Sequence, residues 1–249
     1  MTDIILCGCN GHMGRTIKDL VSMRSDCRIA AGVDLSVPTA SDFPVYHNIS
    51  DVEEKTDVVI DFSHPSCLTS ILEYCKGNGV AAVLCTTGYS SEQVEQIKKA
   101  SENTAVFYSR NMSLGINLLI ELSKKASAVL GESFDIEIIE KHHNQKIDAP
   151  SGTALMIADA INEQRSGTMK YTYDRHSQRK KRESSEIGLH AVRGGTIVGE
   201  HQVLFAGQHE VISLSHSAQS KELFASGAVN SAIFMKDKEA GLYDMSALV

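Results

Sequence analysis

The sequence predicts an α/β protein whose first part is a doubly wound parallel sheet and whose second part is a mixed α/β domain. Short apolar runs alternate with helical patterns up to about residue 112, and a glycine-rich turn joins the first run to the first helix. Beyond residue 112 the strand-like runs leave one face polar, which is typical of a sheet with one exposed face. We therefore expect a first domain over 1–112 and 221–249 and a second domain over 113–220.

Strands and helices alternate through the first domain. The apolar runs predict strands at residues 3–7, 28–33, 57–61, 80–85 and 104–108. The patterns between them predict helices at about 13–24, from 65 onwards and at 91–102. The strands are apolar throughout, as strands covered on both faces are, and strand–helix repetition implies right-handed crossovers. Together these features predict a parallel sheet of the Rossmann type.

The second domain is predicted to begin with a helix over 114–130 and a strand over 134–140. After a helix over 151–162 and a polar stretch over 163–186, three runs predict consecutive antiparallel strands at 187–192, 196–205 and 210–216. A last helix over 220–235 is expected to return to the first domain. The basic residues at 175–182 (RHSQRKKR) indicate a solvated loop, mobile near an anionic substrate, rather than a nucleic-acid site.

Composition limits the possible classes of function. The 249 residues are 42% hydrophobic and 22% charged, so the chain can bury a large core without disulfide or metal staples. The formal net charge of −7 argues against general nucleic-acid binding, which requires excess Lys and Arg. No window reaches the ~18–20 apolar residues of a membrane span. The apolar run at residues 4–7 is too short for a signal peptide.

The cysteines indicate the compartment. All six lie at or before residue 85, and none forms a CxxC pair. This distribution favours buried, reduced thiols over metal ligands. We expect a cytoplasmic protein without a metal site.

The turn after the first strand carries the glycines of a dinucleotide site. Gly8, Gly11 and Gly14 have the spacing GxxGxxG between the first strand and the first helix. Such glycines let the chain turn sharply and approach a pyrophosphate, which the helix N-terminus attracts. Asp34, at the end of the second strand, can accept hydrogen bonds from both ribose hydroxyls. A phosphate-loop NTPase is excluded, because no GK[ST] follows the glycines.

Asp34 also bears on the choice between NADH and NADPH. A carboxylate favours a free 2′-hydroxyl and repels a 2′-phosphate. Leu35 stands where strong NADPH binding would call for an arginine, although Arg15 is available for a phosphate. We expect NADH to be at least as good a cofactor as NADPH.

Two further turns follow strands at their carboxyl ends, where ligands bind in this architecture. They are Cys85-Thr86-Thr87-Gly88 and Ser109-Arg110-Asn111-Met112. Alone they would be ordinary loops. Beside a dinucleotide that lies across the sheet edge, their N–H and hydroxyl groups suit the nicotinamide end.

Residues 140–154 (EKHHNQKIDAPSGTA) carry the most informative chemistry in the chain. Three side chains that can carry a proton lie within five residues: His142, His143 and Lys146. Ser151 suits a helix N-cap, which would leave the amides of Gly152 and Thr153 for a carboxylate. A histidine can donate a proton near neutral pH. Two adjacent histidines do not form the helical HxxxH pair of a zinc site, and alone the cluster could be an incidental surface loop.

Taken in order, these motifs resemble those of the dihydrodipicolinate reductase family. The resemblance spans nearly the whole chain, and the element at 142–154 is highly specific to the family. The matching segments are GCNGHMG at 8–14, DFSHP at 61–65, CTTG at 85–88, RNMSLGIN at 110–117, EKHHNQKIDAPSGTA at 140–154, RGGTIVGEH at 193–201 and FASGA at 224–228.

The resemblance implies a homotetrameric reductase that uses NADH or NADPH and associates through the sheet of the second domain. Its substrate would be a small cyclic imine with two carboxylates, which gains a hydride from nicotinamide C4 and a proton. By motif position, His142 would be the proton donor or acceptor and Lys146 a second proton donor. The implied substrate-binding residues are His143, Ser151, Gly152 and Thr153. The implied cofactor-binding residues are Gly8, Cys9, Asn10, Gly11, His12, Met13, Asp34, Cys85, Thr86, Thr87, Ser109, Arg110, Asn111 and Met112.

Two residues depart from the family pattern. Cys85 replaces the first glycine of the usual GTTG turn, and it would be strained if that position required a positive φ. Arg110 stands where the family usually has Ala or Pro. It could contact the cofactor or the substrate, or face solvent.

Two other functions are open at this point. A dehydrogenase of an amino acid or a semialdehyde would share the first domain without needing paired carboxylate contacts in the second. A non-catalytic NAD-binding module would bind the cofactor and be indifferent to the loss of His142 or Lys146. A reductase, by contrast, requires the cofactor to face the cationic loop, with closure that excludes water before hydride transfer.

Overall fold

A computed structural model describes residues 1–37 and 41–249 of the chain. The chain divides into two compact units, Met1–Leu114 with Glu222–Val249, and Gly115–Lys221. We call them the first unit and the second unit. No helix within the described ranges is long and apolar enough to cross a membrane.

The described part of the first unit contains a seven-stranded parallel sheet. Its strands are β1 Thr2–Cys7, β2 Cys27–Val33, β3 Val45–Tyr46, β4 Val58–Asp61, β5 Ala81–Leu84, β6 Ala105–Tyr108 and β12 Gly241–Tyr243. Their order is β12-β6-β5-β4-β1-β2-β3, and every neighbouring pair is parallel. The doubly wound parallel sheet is confirmed. The pattern misses β3 and β12, which have two and three residues and are too short to show a period.

Helices cover both faces of this sheet. They are α1 His12–Ser22, α2 Leu68–Asn78, α3 Ser91–Ser101 and α6 Glu222–Met235. Alternate side chains of β1 point to opposite faces, so that Ile4 and Leu6 pack in a core with α1 and α6. Ile5 and Cys7 pack in a second core with α2 and α3. Each large apolar side chain buried in these cores stabilises the fold by about 1.5–3 kcal/mol.

Helix α2 begins three residues later than the sequence predicts. Pro65–Cys67 forms a 3-10 turn instead, and His64 caps it by accepting the Ser66 N–H at its Nδ1 (3.2 Å). The sequence could not separate the two, because a proline at the first position suits either kind of helix.

The described part of the second unit contains a mixed five-stranded sheet. Its strands are β7 Asp135–His142, β8 Lys170–Thr172, β9 Glu186–Arg193, β10 Gly199–Ala206 and β11 Val211–Ala218, and its helices are α4 Leu114–Leu130, which starts at the end of the first unit, and α5 Gly152–Gln164. The strand order is β11-β10-β7-β9-β8. The core between sheet and helices is formed mainly by aliphatic side chains.

The prediction of three consecutive antiparallel strands is wrong for β9. Strands β10 and β11 form an antiparallel pair, but β9 lies parallel to both β7 and β8. Strand β7 separates β9 from β10 and pairs with β10 in antiparallel fashion. The cause is the helix between β7 and β9, because a strand–helix–strand crossover returns a parallel strand.

The basic run at 175–182 is largely exposed, as expected, but two of its arginines are bound to the sheet. Arg175 pairs with Glu186 (Nη1–Oε2, 2.7 Å), and Arg182 pairs with Glu137 (Nε–Oε1, 2.9 Å). The Arg175 guanidinium helps to lower the pKa of Glu186 to about 2. These arginines therefore have a structural role on the sheet.

Candidate active site

The glycine turn brings backbone segments into close contact at the start of α1. Gly8 has φ +76°, and a Cβ on it would lie 2.5 Å from the Phe62 carbonyl oxygen. A Cβ on Gly14 would overlap the Gly8 carbonyl oxygen. Gly11 is the N-cap residue of α1, so the helix starts within the turn. This close-packed backbone fits the approach of a pyrophosphate to a helix N-terminus.

The other predicted residues of this turn have different environments. Cys9 is fully buried in the core, whereas His12 is exposed and Met13 is partly buried. The Asn10 N–H donates to Asp34 Oδ2 (2.9 Å), and the Arg15 Nε donates to the Asn10 carbonyl oxygen (3.1 Å). Arg15 thus braces the turn.

Asp34 lies at the mouth of a cavity of about 610 Å³ beside the glycine turn. Its carboxylate accepts the N–H groups of Asn10 and Ser36 (2.9 and 3.1 Å), which leaves lone pairs for ribose hydroxyls. Leu35 is 91% exposed and lines the same cavity. No lysine or arginine of the described residues lines it. Among the described residues, the lining of this cavity thus combines the Asp34 carboxylate with the first glycine of the turn, Gly8.

The turn after β5 accommodates the unusual cysteine without strain. Among the described residues other than glycine, Ser166 alone has a positive φ, so Cys85 lies in an ordinary conformation. Its side chain is buried, and burial raises the pKa of the thiol. Thr86 is buried, whereas Thr87 is exposed. Gly88 supplies the positive φ of this turn (+84°).

Asp61 holds this turn, although the sequence singled it out only as part of the DFSHP motif. Its fully buried carboxylate accepts hydrogen bonds from Thr86 Oγ1 (2.8 Å) and Tyr89 OH (3.1 Å). It also accepts the Ser63 N–H (2.9 Å). Burial and the Asp61 charge raise the pKa of Tyr89. Asp61 thereby connects the turns that follow β4 and β5.

The turn after β6 is fixed from within. Ser109 Oγ donates to the Asn111 carbonyl oxygen (3.0 Å), and Asn111 Oδ1 accepts the Ser113 N–H (2.8 Å). Met112 is buried in the core, and Arg110 is exposed. Arg110 lines a second cavity, of about 530 Å³, together with residues 86–89. The turns after β5 and β6 thus border one space.

A buried carboxylate lies under the first histidine of the second unit. His142 ends β7 and is buried, and its Nδ1 lies 2.6 Å from Glu140 Oε2. Glu140 is fully buried and pairs in a bidentate manner with Arg193 (both 2.7 Å). Burial alone would raise the pKa of Glu140, but hydrogen bonds from Arg193 and His142 hold it below its usual value. Glu140 is therefore an anion that touches His142.

The same carboxylate reaches the start of α5. Glu140 Oε1 accepts the Ser151 N–H (3.0 Å). Ser151 is the N-cap of α5, as predicted, and its Oγ accepts the Ala154 N–H (3.2 Å). Gly152 is exposed at the first helical position, and Thr153 follows it. Lys146 and also the Gly152 amide lower the pKa of the Asp148 carboxyl, so this helix end attracts an anion.

Lys146 lies on the loop between β7 and α5. Its Nζ pairs with Asp148 Oδ1 (2.9 Å), and its side chain is 22% exposed. The Lys146 N–H donates to the carbonyl oxygen of His143, which is partly buried (3.2 Å). Arg193 Nη2 donates to the Asp148 carbonyl oxygen (2.7 Å). The loop is thus tied to the buried Glu140–Arg193 pair.

Sequence reasoning missed His201 and the role of Arg193, both within RGGTIVGEH. The rings of His201 and His142 meet edge to face with centroids 5.2 Å apart, and His201 Nε2 lies 3.1 Å from Ser151 Oγ. Burial and the neighbouring His142 lower the pKa of His201 to about 4. The motif itself was the available signal, but its partners lie 50 and more residues away.

No group of three or more His, Cys, Asp or Glu side chains in the described residues could hold a metal ion. The first unit has the glycine turn and the carboxylate of a dinucleotide-binding site. The second unit has a helix N-terminus that attracts an anion, together with a histidine and a lysine on the preceding strand and loop. These features define a class of protein, an oxidoreductase that uses a nicotinamide dinucleotide.

Family profiles narrow this class. The profile for "Dihydrodipicolinate reductase, N-terminus" matches residues 2–112, and the profile for "Dihydrodipicolinate reductase, C-terminus" matches residues 115–249. The chain belongs to the dihydrodipicolinate reductase family.

Curated relatives agree with this assignment. A 4-hydroxy-tetrahydrodipicolinate reductase of Clostridium tetani is 49% identical over 249 residues, which cover 100% of this chain and 97% of the relative. One from Caldanaerobacter subterraneus subsp. tengcongensis is also 49% identical, with coverage of 100% and 98%.

Solved structures show the same relationship. A dipicolinate-bound dihydrodipicolinate reductase from a Paenisporosarcina species has a TM-score of 0.84 and 28% identity, with full coverage of both chains. A probable dehydrogenase from Thermotoga maritima shares the fold alone, with a TM-score of 0.64 and 10% identity over 98% of this chain and 91% of its own.

Proposed function

We propose that this chain reduces 4-hydroxy-tetrahydrodipicolinate (dihydrodipicolinate) to tetrahydrodipicolinate in the diaminopimelate route of lysine biosynthesis. The observation that carries the proposal is the cluster around Glu140. This buried carboxylate binds a histidine, the start of α5, and an arginine that also binds the lysine-bearing loop. The dipicolinate bound to the Paenisporosarcina reductase, a ring with two carboxylates, supports a substrate of this shape.

The second unit would bind the substrate and supply protons. The N–H groups of Gly152 and Thr153 and the side chains of Ser151 and His143 would bind its carboxylates, since a helix N-terminus favours an anion. His142 would give or take the transferred proton at Nε2, because its Nδ1 is engaged by Glu140. Lys146 would be the second proton donor.

The first unit would bind the dinucleotide, which supplies a hydride from nicotinamide C4. Gly8, Asn10 and Asp34 would contact its adenosine and pyrophosphate. The turns after β5 and β6 would hold the nicotinamide end. The remaining proposed contacts are Cys9, Gly11, His12, Met13, Cys85, Thr86, Thr87, Ser109, Arg110, Asn111 and Met112. The buried apolar side chains among these are Cys9, Cys85 and Met112, which would contribute through their backbone.

Parallel steady-state assays test both the reaction and the cofactor. The substrate is generated in the cuvette from pyruvate and aspartate semialdehyde, and oxidation of NADH and of NADPH is followed separately. We expect turnover with both and a kcat/KM for NADH at least equal to that for NADPH, because Asp34 and Leu35 offer no cation to a 2′-phosphate. A strong preference for NADPH would contradict the cofactor prediction. Turnover only with amino acids or simple semialdehydes would favour a dehydrogenase of those substrates. No turnover with any of the tested substrates would favour a non-catalytic NAD-binding module.

We further propose a homotetramer that associates through the sheet of the second unit, in the cytoplasm. The outer face of that sheet exposes Val192 (45%) and Val211 (61%), which is unusual for apolar side chains in a strand. All six cysteines are free thiols, which suits a reducing compartment. Sedimentation equilibrium should give four chain masses, and Val211→Lys should lower that mass. A monomer at micromolar concentration would contradict the tetramer.

A further inference from the structure

Glu140 has more polar contacts than its position in a strand requires. It lies at the inner face of β7 with none of its surface exposed. Its two oxygens receive hydrogen bonds from Arg193, His142 and the Ser151 N–H at 2.6–3.0 Å. A fully buried carboxylate is costly unless each of its oxygens is paired, and here both are. The carboxylate therefore connects three different chain segments.

We infer that Glu140 is a positioning residue for catalysis, which fixes the ring nitrogen that His142 presents to the substrate and aligns the anion-binding end of α5. The inference rests on the proposed function, because it assigns a role within that same site.

The first step concerns the tautomer of His142. An ionised carboxylate can only accept hydrogen bonds, so the His142 nitrogen 2.6 Å away, Nδ1, must carry a hydrogen. The other nitrogen, Nε2, is then the atom that can give or take the transferred proton. Space beside it is kept by Gly199, since a Cβ there would lie 3.1 Å from Nε2. Without the carboxylate, either tautomer could form.

The second step concerns charge. His142 contacts Glu140 on its own strand and the ring of His201 on β10. Arg193 on β9 binds the same Glu140, and the Lys146 charge acts on His201 from the following loop. Burial lowers the pKa of His201 to about 4, so this ring is neutral at physiological pH. Arg193 and Lys146 are both cations, so each opposes a further positive charge in this cluster. Glu140 is thus the anion in direct contact with the ring that would transfer the proton.

The third step concerns the helix end. Ser151 precedes the first helical residue, and its N–H is bound by Glu140 Oε1 (3.0 Å). This bond fixes the direction from which α5 leaves the loop, and with it the amides of Gly152 and Thr153. Arg193, held by the same carboxylate, fixes Asp148 through its carbonyl oxygen (2.7 Å). Glu140 therefore fixes the position of the proposed proton donor relative to the amides proposed to bind the substrate carboxylates.

The test compares Glu140→Gln and Glu140→Asp with Glu137→Gln as a matched control. Glu137 lies on the same strand and also binds arginine and histidine, namely Arg182 and His190 (2.9 and 2.7 Å). We expect Glu140→Gln to lower kcat by about 10–100-fold, the usual effect of losing such a supporting partner. The pH at which kcat falls on the alkaline side should move to a lower value, because the anion in contact with the His142 ring is lost. Glu140→Asp should recover that pH, and Glu137→Gln should not move it.

A measurement on the wild-type protein keeps the test valid if Glu140→Gln does not fold. Nitrogen-15 NMR without substrate should show the His142 hydrogen on Nδ1 near neutral pH. An Nε2–H tautomer there would overturn the inference, as would a Glu140→Gln enzyme whose pH profile matches the wild type. Failure of the proposed function is a separate outcome, in which the wild-type enzyme shows no turnover while the tautomer is as expected.

Discussion

Lys146→Ala is expected to lower kcat by about 10²–10⁴-fold, the contribution of a general acid. Lys146 is the ammonium on the loop between β7 and α5, with 22% of its side chain exposed and Asp148 as its ion-pair partner. Its removal would take away both a proton donor and a positive charge beside a dianionic ring. The dissociation constant of NADH should change little, because the proposed cofactor contacts all lie in the first unit. Stopped-flow hydride transfer and fluorescence titration measure the two effects separately.

Three variants separate proton transfer from simple loss of charge or structure. Asp148→Asn removes the ion-pair partner but keeps the ammonium, and it should retain most of the activity. Lys146→Arg keeps the charge but is a poor proton donor, so substrate affinity should survive better than kcat. Lys125→Ala, at an exposed position of α4, should be neutral. Near-normal turnover of Lys146→Ala would refute the assigned role.

Much of the first unit could be predicted because its signals are local. The run at residues 4–7, the glycine spacing and Asp34 all lie within 34 residues, and each position follows from strand or turn chemistry. Ser151 is another local signal, since a serine before a helical pattern is a capping residue whatever lies elsewhere. These predictions needed no knowledge of distant partners.

The parts that could not be predicted depend on distant partners. The alternation of Ile136 and Ile138 could have placed Glu140 and His142 on the buried face of β7. Nothing nearby shows that Arg193, 53 residues later, neutralises Glu140. The parallel pairing of β9 could not be predicted for the same reason, because its neighbour β7 lies far earlier in the chain.

Cys85 illustrates a different limit. The resemblance to the family pattern predicts strain at Cys85 if this position requires a positive φ. In the structure the positive φ belongs to Gly88, and the Cys85 side chain fills part of the core. The backbone conformation at position 85 therefore does not require a glycine.

Gly227→Ala is expected to reduce both stability and cofactor binding, although Gly227 is not a proposed cofactor contact. It lies in α6, directly against the turn after β6, and a Cβ on it would overlap the Met112 carbonyl oxygen. That atom is backbone of a buried residue and cannot rotate away, so the turn or the helix must move. Overpacking of this kind costs about 1–3 kcal/mol, and a contact with buried backbone belongs at the upper end. Urea unfolding measures this loss.

The displaced turn also explains why NADH should bind more weakly. Residues 109–112 are proposed to hold the nicotinamide end, and their hydrogen bonds are short-range and internal, so they would move with Met112. We expect the dissociation constant of NADH to rise at least about tenfold, a loss of roughly 1.4 kcal/mol in binding free energy.

Gly77→Ala in α2 is the matched control, because nothing lies within 4 Å of its added Cβ. Gly77→Ala should raise the free energy of unfolding by about 0.5–1 kcal/mol, because alanine has less conformational freedom than glycine in the unfolded chain. Equal effects at the two glycines would show that backbone entropy, and not contact with the turn, decides the outcome.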